Sequence, residues 1–258
     1  MQKSTLLTVI LFFCLSQLTF AQAKSGKVTY LVKSGIDLND ISSKIDSEPD
    51  LANDLSSGEK DKMKAILSMM LSGSDSEEVL VDLYFNQQAS IIETQDFLSE
   101  SEFSLNIAAI AAEKIDGLFM NYNDGVTYMV SESLGEKLII IDSLNRFKWV
   151  LGNEKKEIQG FNCLKAVGTR IYDRTETSKV VAWYTPEIPI PTGPAGYGGL
   201  PGMILELNEI GYVSYQALEI ETDLNKKSLK RIELPKRGKL ISRNEYWDLW
   251  DKIENEDY

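Results

Sequence analysis

Residues 119–130 read FMNYNDGVTYMV. Two apolar runs, Phe119–Tyr122 and Val126–Val130, flank Asn123-Asp124-Gly125. An Asp-Gly between alternating segments supplies residues that tolerate positive φ, so the stretch predicts a tight β-hairpin. The same patterning recurs on both sides. Upstream, Lys27–Ser34 alternates through Val28, Tyr30 and Val32, and Glu78–Phe85 through Val79, Val81, Leu83 and Phe85; Ala89–Thr94 is placed to pair with the latter. Downstream come Leu138–Ile141, Phe147–Leu151, Ile158–Tyr172 and Val180–Tyr184. Met203–Leu207 and Tyr212–Ile220 then form a second hairpin across Gly211, and Leu229–Leu234 reads as a last strand. Short strands at this spacing predict a mainly β (α+β) fold. Its core is a curved, partly open antiparallel sheet or half-barrel.

Helical periodicity is confined to a few places. Residues 35–50 are polar and read as a loop. Leu51–Leu71 reads as a helix that packs on the sheet, because Met63, Ile66, Leu67, Met70 and Leu71 fall on one stripe. Gly73 suits its end. Leu105–Ala112 is apolar and fits either a short helix or a buried strand. Ser242–Glu254 reads as a C-terminal helix: Ser242 and Glu245 form a capping box, and Tyr246, Trp247, Leu249, Trp250 and Ile253 give it an aromatic face.

The N-terminus predicts export. Lys3 is followed by an apolar run, Thr5–Leu18, and Ala21-Gln22-Ala23 sets small residues before a cut after Ala23. Residues 1–23 are therefore expected to be a signal peptide and 24–258 a single β-rich domain. The apolar run is shorter than a spanning helix needs and is broken by Gln17. Phe13 stands before Cys14 where a lipoprotein signal requires a small residue. No transmembrane span is expected after cleavage.

Composition removes several function classes. The 258 residues hold 27 basic and 39 acidic side chains, a net charge of −12. Loss of Lys3 with the leader makes it −13, which disfavours binding to nucleic acid. There is no histidine, which excludes Ser-His-Asp and Cys-His catalysis and histidine-ligated metals. After cleavage only Cys163 remains of two cysteines, so no internal disulfide is formed. No cofactor and no metal site are expected. The acidic run Asp75, Glu77, Glu78 lacks the ordered oxygen spacing of a calcium loop.

Five of the seven prolines and five of the seventeen glycines fall in Pro186–Gly202, PEIPIPTGPAGYGGLPG. Prolines remove donors and fix φ, so the stretch predicts a stiff, non-regular loop with Tyr197 and Leu200 as apolar anchors. Pro201-Gly202 suits the centre of a type II turn. The loop lacks Gly-Lys-Ser/Thr and precedes a strand, unlike a phosphate loop.

Ala182-Trp183-Tyr184-Thr185-Pro186-Glu187-Ile188-Pro189, Gly193-Pro194 and Gly199-Leu200-Pro201-Gly202-Met203-Ile204-Leu205 together resemble the exported GLPGLI family, named for that hexapeptide. Gly160-Phe161-Asn162-Cys163-Leu164-Lys165-Ala166 is similar to the element that precedes it there. Met203 stands where the name motif has leucine, and Leu164 replaces the first lysine after the cysteine. The resemblance implies a Gram-negative envelope protein, in the periplasm or at the outer-membrane periphery, associated with outer-membrane uptake. By analogy of fold it also suggests the half-barrels of periplasmic lipid carriers.

These observations give three functional expectations. The first is a binding module with an apolar sheet face for a hydrophobic ligand, covered in part by the helix at 51–71 and rimmed by the Pro/Gly loop. Its ligand- or partner-binding residues would be Trp183, Tyr184, Glu187, Tyr197, Leu200, Pro201 and Gly202. The second is an accessory partner of an outer-membrane transporter. The third is a carboxylate-dependent enzyme centred on Glu187 or Glu206. Cys163 is either a free reactive thiol or a small buried apolar residue.

Overall fold

The computed structural model describes residues 23–47, 56–71, 78–96, 106–133, 135–144, 147–171 and 177–256. Residues 1–22 of the expected signal peptide, Gly73 and Asp75–Glu77 fall outside them. The first sequence element is strand β1 (Ser25–Ser34), followed by helices α1 (Leu38–Ser47) and α2 (Ser57–Leu71). Strands β2 (Val79–Asn86) and β3 (Ala89–Thr94), helix α3 (Ile107–Glu113), and strands β4 (Phe119–Asn121), β5 (Val126–Ser133) and β6 (Glu136–Ser143) complete the first half. The second half runs β7 (Val150–Ile158), β8 (Phe161–Ile171), β9 (Thr177–Thr185), β10 (Met203–Glu209), β11 (Val213–Thr222), helix α4 (Lys226–Leu229), β12 (Lys239–Ser242) and helix α5 (Arg243–Glu256).

All twelve strands join one sheet in the order β12-β6-β5-β4-β3-β2-β1-β11-β10-β9-β8-β7. It consists of two antiparallel meanders, β1–β6 and β7–β11, joined side by side where β1 pairs with β11. The expected antiparallel sheet is thus correct for these pairings, but β12 lies parallel to β6 and makes the whole mixed. Chain length dictates the curvature. β6 and β7 stand ten strand positions apart, about 48 Å along a flat sheet. The chain from Ser143 to Val150 can span at most about 25 Å. The sheet must therefore curl until its two ends approach, and the β-rich half-barrel expectation holds.

The alternation read from sequence decides the inner face. Val28, Tyr30 and Val32 on β1 are buried with Val79, Val81, Leu83 and Phe85 on β2. Val213, Tyr215, Ala217, Val180, Ala182 and Tyr184 continue this face. Helix α3 lies against β1, β2 and β11. Its buried alanines 108, 109, 111 and 112 permit a close approach, and Asn106 caps it by accepting from the Ala109 N–H at 2.9 Å. The two alternatives for 105–112 thus resolve in favour of helix over residues 107–112; Leu105 lies outside the described residues.

Several expectations need correction. Residues 38–47 are helical, not loop. Helix α2 packs against α1 and does not cover the sheet's concave face: Ile66 and Met69 are 55% and 65% exposed. The stretch 158–172 is not one strand, because Gln159 and Gly160, both at positive φ, turn β7 back into β8. Residues 230–234 are not a strand, and the last strand lies later, at Lys239–Ser242. The segment before it straps across the sheet's outer face, where Arg231 pairs with Glu93 and stands over the Tyr84 ring.

Candidate functional site

The Pro/Gly loop is the centre of the molecule. Pro189, Pro191 and Pro201 each sit inside a three-residue turn, closed by Ile190 N–H to Ile188 O, Thr192 N–H to Ile190 O and Gly202 N–H to Leu200 O, each at 2.8 Å. A proline's fixed φ lies near that of an inverse γ-turn. The expected type II turn at Pro201-Gly202 is therefore replaced by a γ-turn. The Met203 N–H, which a type II turn would use, donates instead to Ile188 O at 2.9 Å. Gly202 has φ +155, and a Cβ there would lie 2.1 Å from the Thr185 carbonyl oxygen.

The loop fills the curved sheet. Ile188, Ile190, Ala195, Tyr197 and Leu200 are buried with the strand residues and α3 in one core. The Tyr30 hydroxyl donates to Ile204 O at 2.6 Å, and the Ile204 N–H donates to Thr192 O at 2.9 Å. Sheet, loop and β10 are thus stitched together. The concave face is occupied by α3 and by the loop, so the loop is a plug and not a rim.

What remains open is a cleft of about 600 Å³ at one end of the plug. Helix α3 supplies Ile110 and Glu113, and the turn after it Ile115 and Leu118; β5 supplies Thr127, Met129 and Ser131. Asp142 comes from the end of β6, Phe147 from the β6–β7 connection and Arg170 from β8. Arg243, Tyr246 and Trp247 of α5 form the far wall, and of the plug only Ala195 and Gly196 reach the cleft.

Two charged arrangements stiffen these walls. The Arg170 Nη1 donates to Glu209 Oε2 at 3.0 Å, and Ser178 Oγ donates to Glu209 Oε1 at 2.9 Å. Glu209 is fully buried, and these donors offset the cost of removing its carboxyl group from water. The guanidinium carbon of Arg170 lies 5.4 Å from the Tyr197 ring centre, and the other side of the cleft wall is Phe147, stacked on the same ring. Burial drives the Tyr197 hydroxyl pKa far above its ordinary value, only partly opposed by Arg170. In the second arrangement Arg243 Nε donates to Asp142 Oδ2 at 3.1 Å, tying α5 to β6.

The residues singled out from sequence do not share one place. Tyr184, Leu200 and Gly202 are buried in the core, and Tyr197 backs the cleft without lining it. Trp183 is half-buried under the Lys156 ammonium, 4.4 Å from its ring centre. Pro201 and Glu187 are exposed, and Glu187 accepts from Asn162 N–H at 2.9 Å and Nδ2 at 3.0 Å. Glu206 pairs with Lys156 at 2.6 Å. Neither Glu187 nor Glu206 lines the cleft. Cys163 is buried, and burial pushes its thiol pKa up to about 11.

Asp142, Phe147, Arg170 and Arg243 do not stand out in the sequence as site residues. The signal there is weak: an aromatic between two strands, and an arginine where the C-terminal helix begins. Among the described residues no three His, Cys, Asp or Glu side chains converge as a metal-holding group. No described helix is long and apolar enough to cross a membrane.

No curated protein sequence matches the chain. Residues 173–206 match the model of a family described as a protein of unknown function, Porph_ging. That stretch holds β9, the plug and the start of β10. Among solved structures, PNGF-II in a C2 crystal form is similar over 88% of this chain and 32% of its own, at 13% identity and a TM-score of 0.50. A P21 form of PNGF-II covers 88% and 33%, at 13% identity and a TM-score of 0.49. The chain thus spans about a third of the length of the solved chains it resembles. At such identity the likeness is one of fold.

Proposed function

We propose that the protein is an exported envelope binding module, of the GLPGLI type, whose ligand lies in the cleft between α3, β5 and α5. It works in the periplasm or at the outer-membrane periphery. The observation that carries this reading is the cleft itself: half-buried aromatic and charged side chains converge there from four separate parts of the chain, β6, the β6–β7 connection, β8 and α5. Ligand sites are commonly concave, largely pre-formed and mixed in this way. The plug serves as rigid backing, holding Phe147 and Arg170 through Tyr197.

Native mass spectrometry of the mature chain, purified from its own envelope, tests the reading. The wild type is expected to carry a non-covalent adduct that Ser131→Phe, which fills the cleft, loses. Wild-type protein without an adduct, and whose α5 amides gain no exchange protection from an envelope extract, would overturn it.

A second reading, an accessory partner of an outer-membrane transporter, rests on Trp250, 40% exposed on α5. Trp250→Glu separates the two, because it should abolish partner capture without touching the adduct. Continued capture by this variant would remove the accessory reading.

A further inference from the structure

The make-up of the cleft narrows the class of its ligand, an inference that rests on the cleft being the ligand site. Its half-buried aromatics, Phe147, Tyr246 and Trp247, come from two sides, the β6–β7 connection and α5. Beside them lies an ion pair, Asp142 with Arg243, whose side chains keep 14% and 20% of their surface open. Hydroxyls from Thr127, Ser131 and Ser143 stand on the same walls.

An acyl chain would gain contact with Ile110, Leu118 and Met129, but it would strip water from a carboxylate and a guanidinium without replacing their hydrogen bonds. A simple anion meets Arg170 and Arg243, but each already faces a carboxylate, Glu209 and Asp142. Aromatic faces do nothing for such an ion. A pyranose ring matches every part. Its C–H face is apolar and flat enough to lie on Trp247 or Phe147. Its adjacent hydroxyls both donate and accept, so one can donate to Asp142 while its neighbour accepts from Arg243.

We infer that the cleft takes a carbohydrate, with the sugar ring laid on the Phe147 and Trp247 faces and a pair of neighbouring hydroxyls bridging Asp142 and Arg243.

The test uses the mature chain on an array of plant, bacterial-envelope and animal glycans, alongside a titration with dodecanoate read by tryptophan emission. Binding to a glycan class is expected, with affinity falling at least about tenfold in Asp142→Asn, which keeps shape but loses the charged acceptor. Trp247→Phe should also weaken glycan binding, and Trp250→Phe should not. Circular dichroism of each variant checks that α5 still forms. If dodecanoate binds and no glycan does, the carbohydrate inference falls while the cleft remains a ligand site. If neither binds, the inference falls, and the native-mass adduct decides separately whether the cleft is a site at all. Glycan binding unchanged by both Asp142→Asn and Trp247→Phe would place the sugar elsewhere and overturn the inference too.

Discussion

The ring of Tyr197 stacks on that of Phe147 with centroids 4.5 Å apart and planes 27° from parallel. One residue belongs to the plug, the other to the short connection between β6, next to one edge of the sheet, and β7, at the other edge. The stack therefore fastens the filling of the half-barrel to the segment that draws it closed. Trp149 adds to it by donating its indole N–H to Gly198 O at 2.9 Å.

Either ring is expected to cost heavily when removed. Tyr197→Ala should lower stability by about 3–5 kcal/mol in urea unfolding and the half-buried Phe147→Ala by about 2 kcal/mol. The double variant should lose about 1 kcal/mol less than their sum, the share of the direct ring contact. Full additivity would show that the two rings do not support one another.

Two glycines of the plug should respond differently to the same change. Gly202→Ala puts a Cβ against the Thr185 carbonyl and should cost about 3 kcal/mol. Gly199→Ala, at φ +81 with open space around its Cβ, should cost only about 1 kcal/mol of backbone strain. Thermal melts of the pair check the order, and equal losses would contradict the close approach at Gly202.

Cys163 should behave as a packing residue. At pH 8 the native thiol is expected to resist a disulfide reagent that labels it at once in urea. The folded chain holds this thiol protonated, so its contribution to stability is fully present below the unfolded thiol's pKa, near about 8.5. It declines as pH rises towards the folded value of about 11. Compared with Cys163→Ala, the wild type should lose stability over that alkaline window. Fast native labelling at pH 8 would refute burial.

Helix α5 should be sensitive to acid. The Glu245 carboxylate accepts from Ser242 N–H and Oγ, both at 2.7 Å, and the backbone bond leads in holding its pKa below the ordinary carboxylate value. A lowered folded pKa contributes stability above the usual carboxylate pKa and loses it as pH falls through the folded one. The protection of amides at the start of α5, taken relative to the intrinsic exchange rate at each pH, should therefore fall on acidification in the wild type. Glu245→Gln, which has no such titration, should show a flatter profile.

The parts of this fold that are legible in the sequence are those set by neighbours along the chain. Asn123-Asp124-Gly125 announces its hairpin because a turn is made by the residues in it. Gly125 indeed sits at φ +66. Ser242 and Glu245 announce their cap for the same reason. Strand β7 is hidden because Glu154-Lys155-Lys156-Glu157 lies at the sheet's edge and is mostly exposed, so it has no buried face to impose alternation. The periodicity on α2 does not name its partner: the helix packs against α1, concealed in a polar stretch. The cleft is illegible because Arg170 and Arg243 are 73 positions apart in the chain and come to line one cleft only through the curl of the sheet. The plug is visible as a composition, yet proline and glycine content does not say whether a stiff loop stands over a cavity or fills it.

The pairing of β1 with β11 has a consequence in time. Residues 25–34 pair early with β2 along one edge, but their other edge finds its neighbour only when residues 213–222 arrive, so the first strand to appear is completed by nearly the last. Two separate ribbons can form as the chain emerges, but the seam that makes them one sheet closes late. Contacts of such long sequence separation slow folding. A polypeptide of this topology can build its two ribbons as it is made, but it commits to its final shape only near the end.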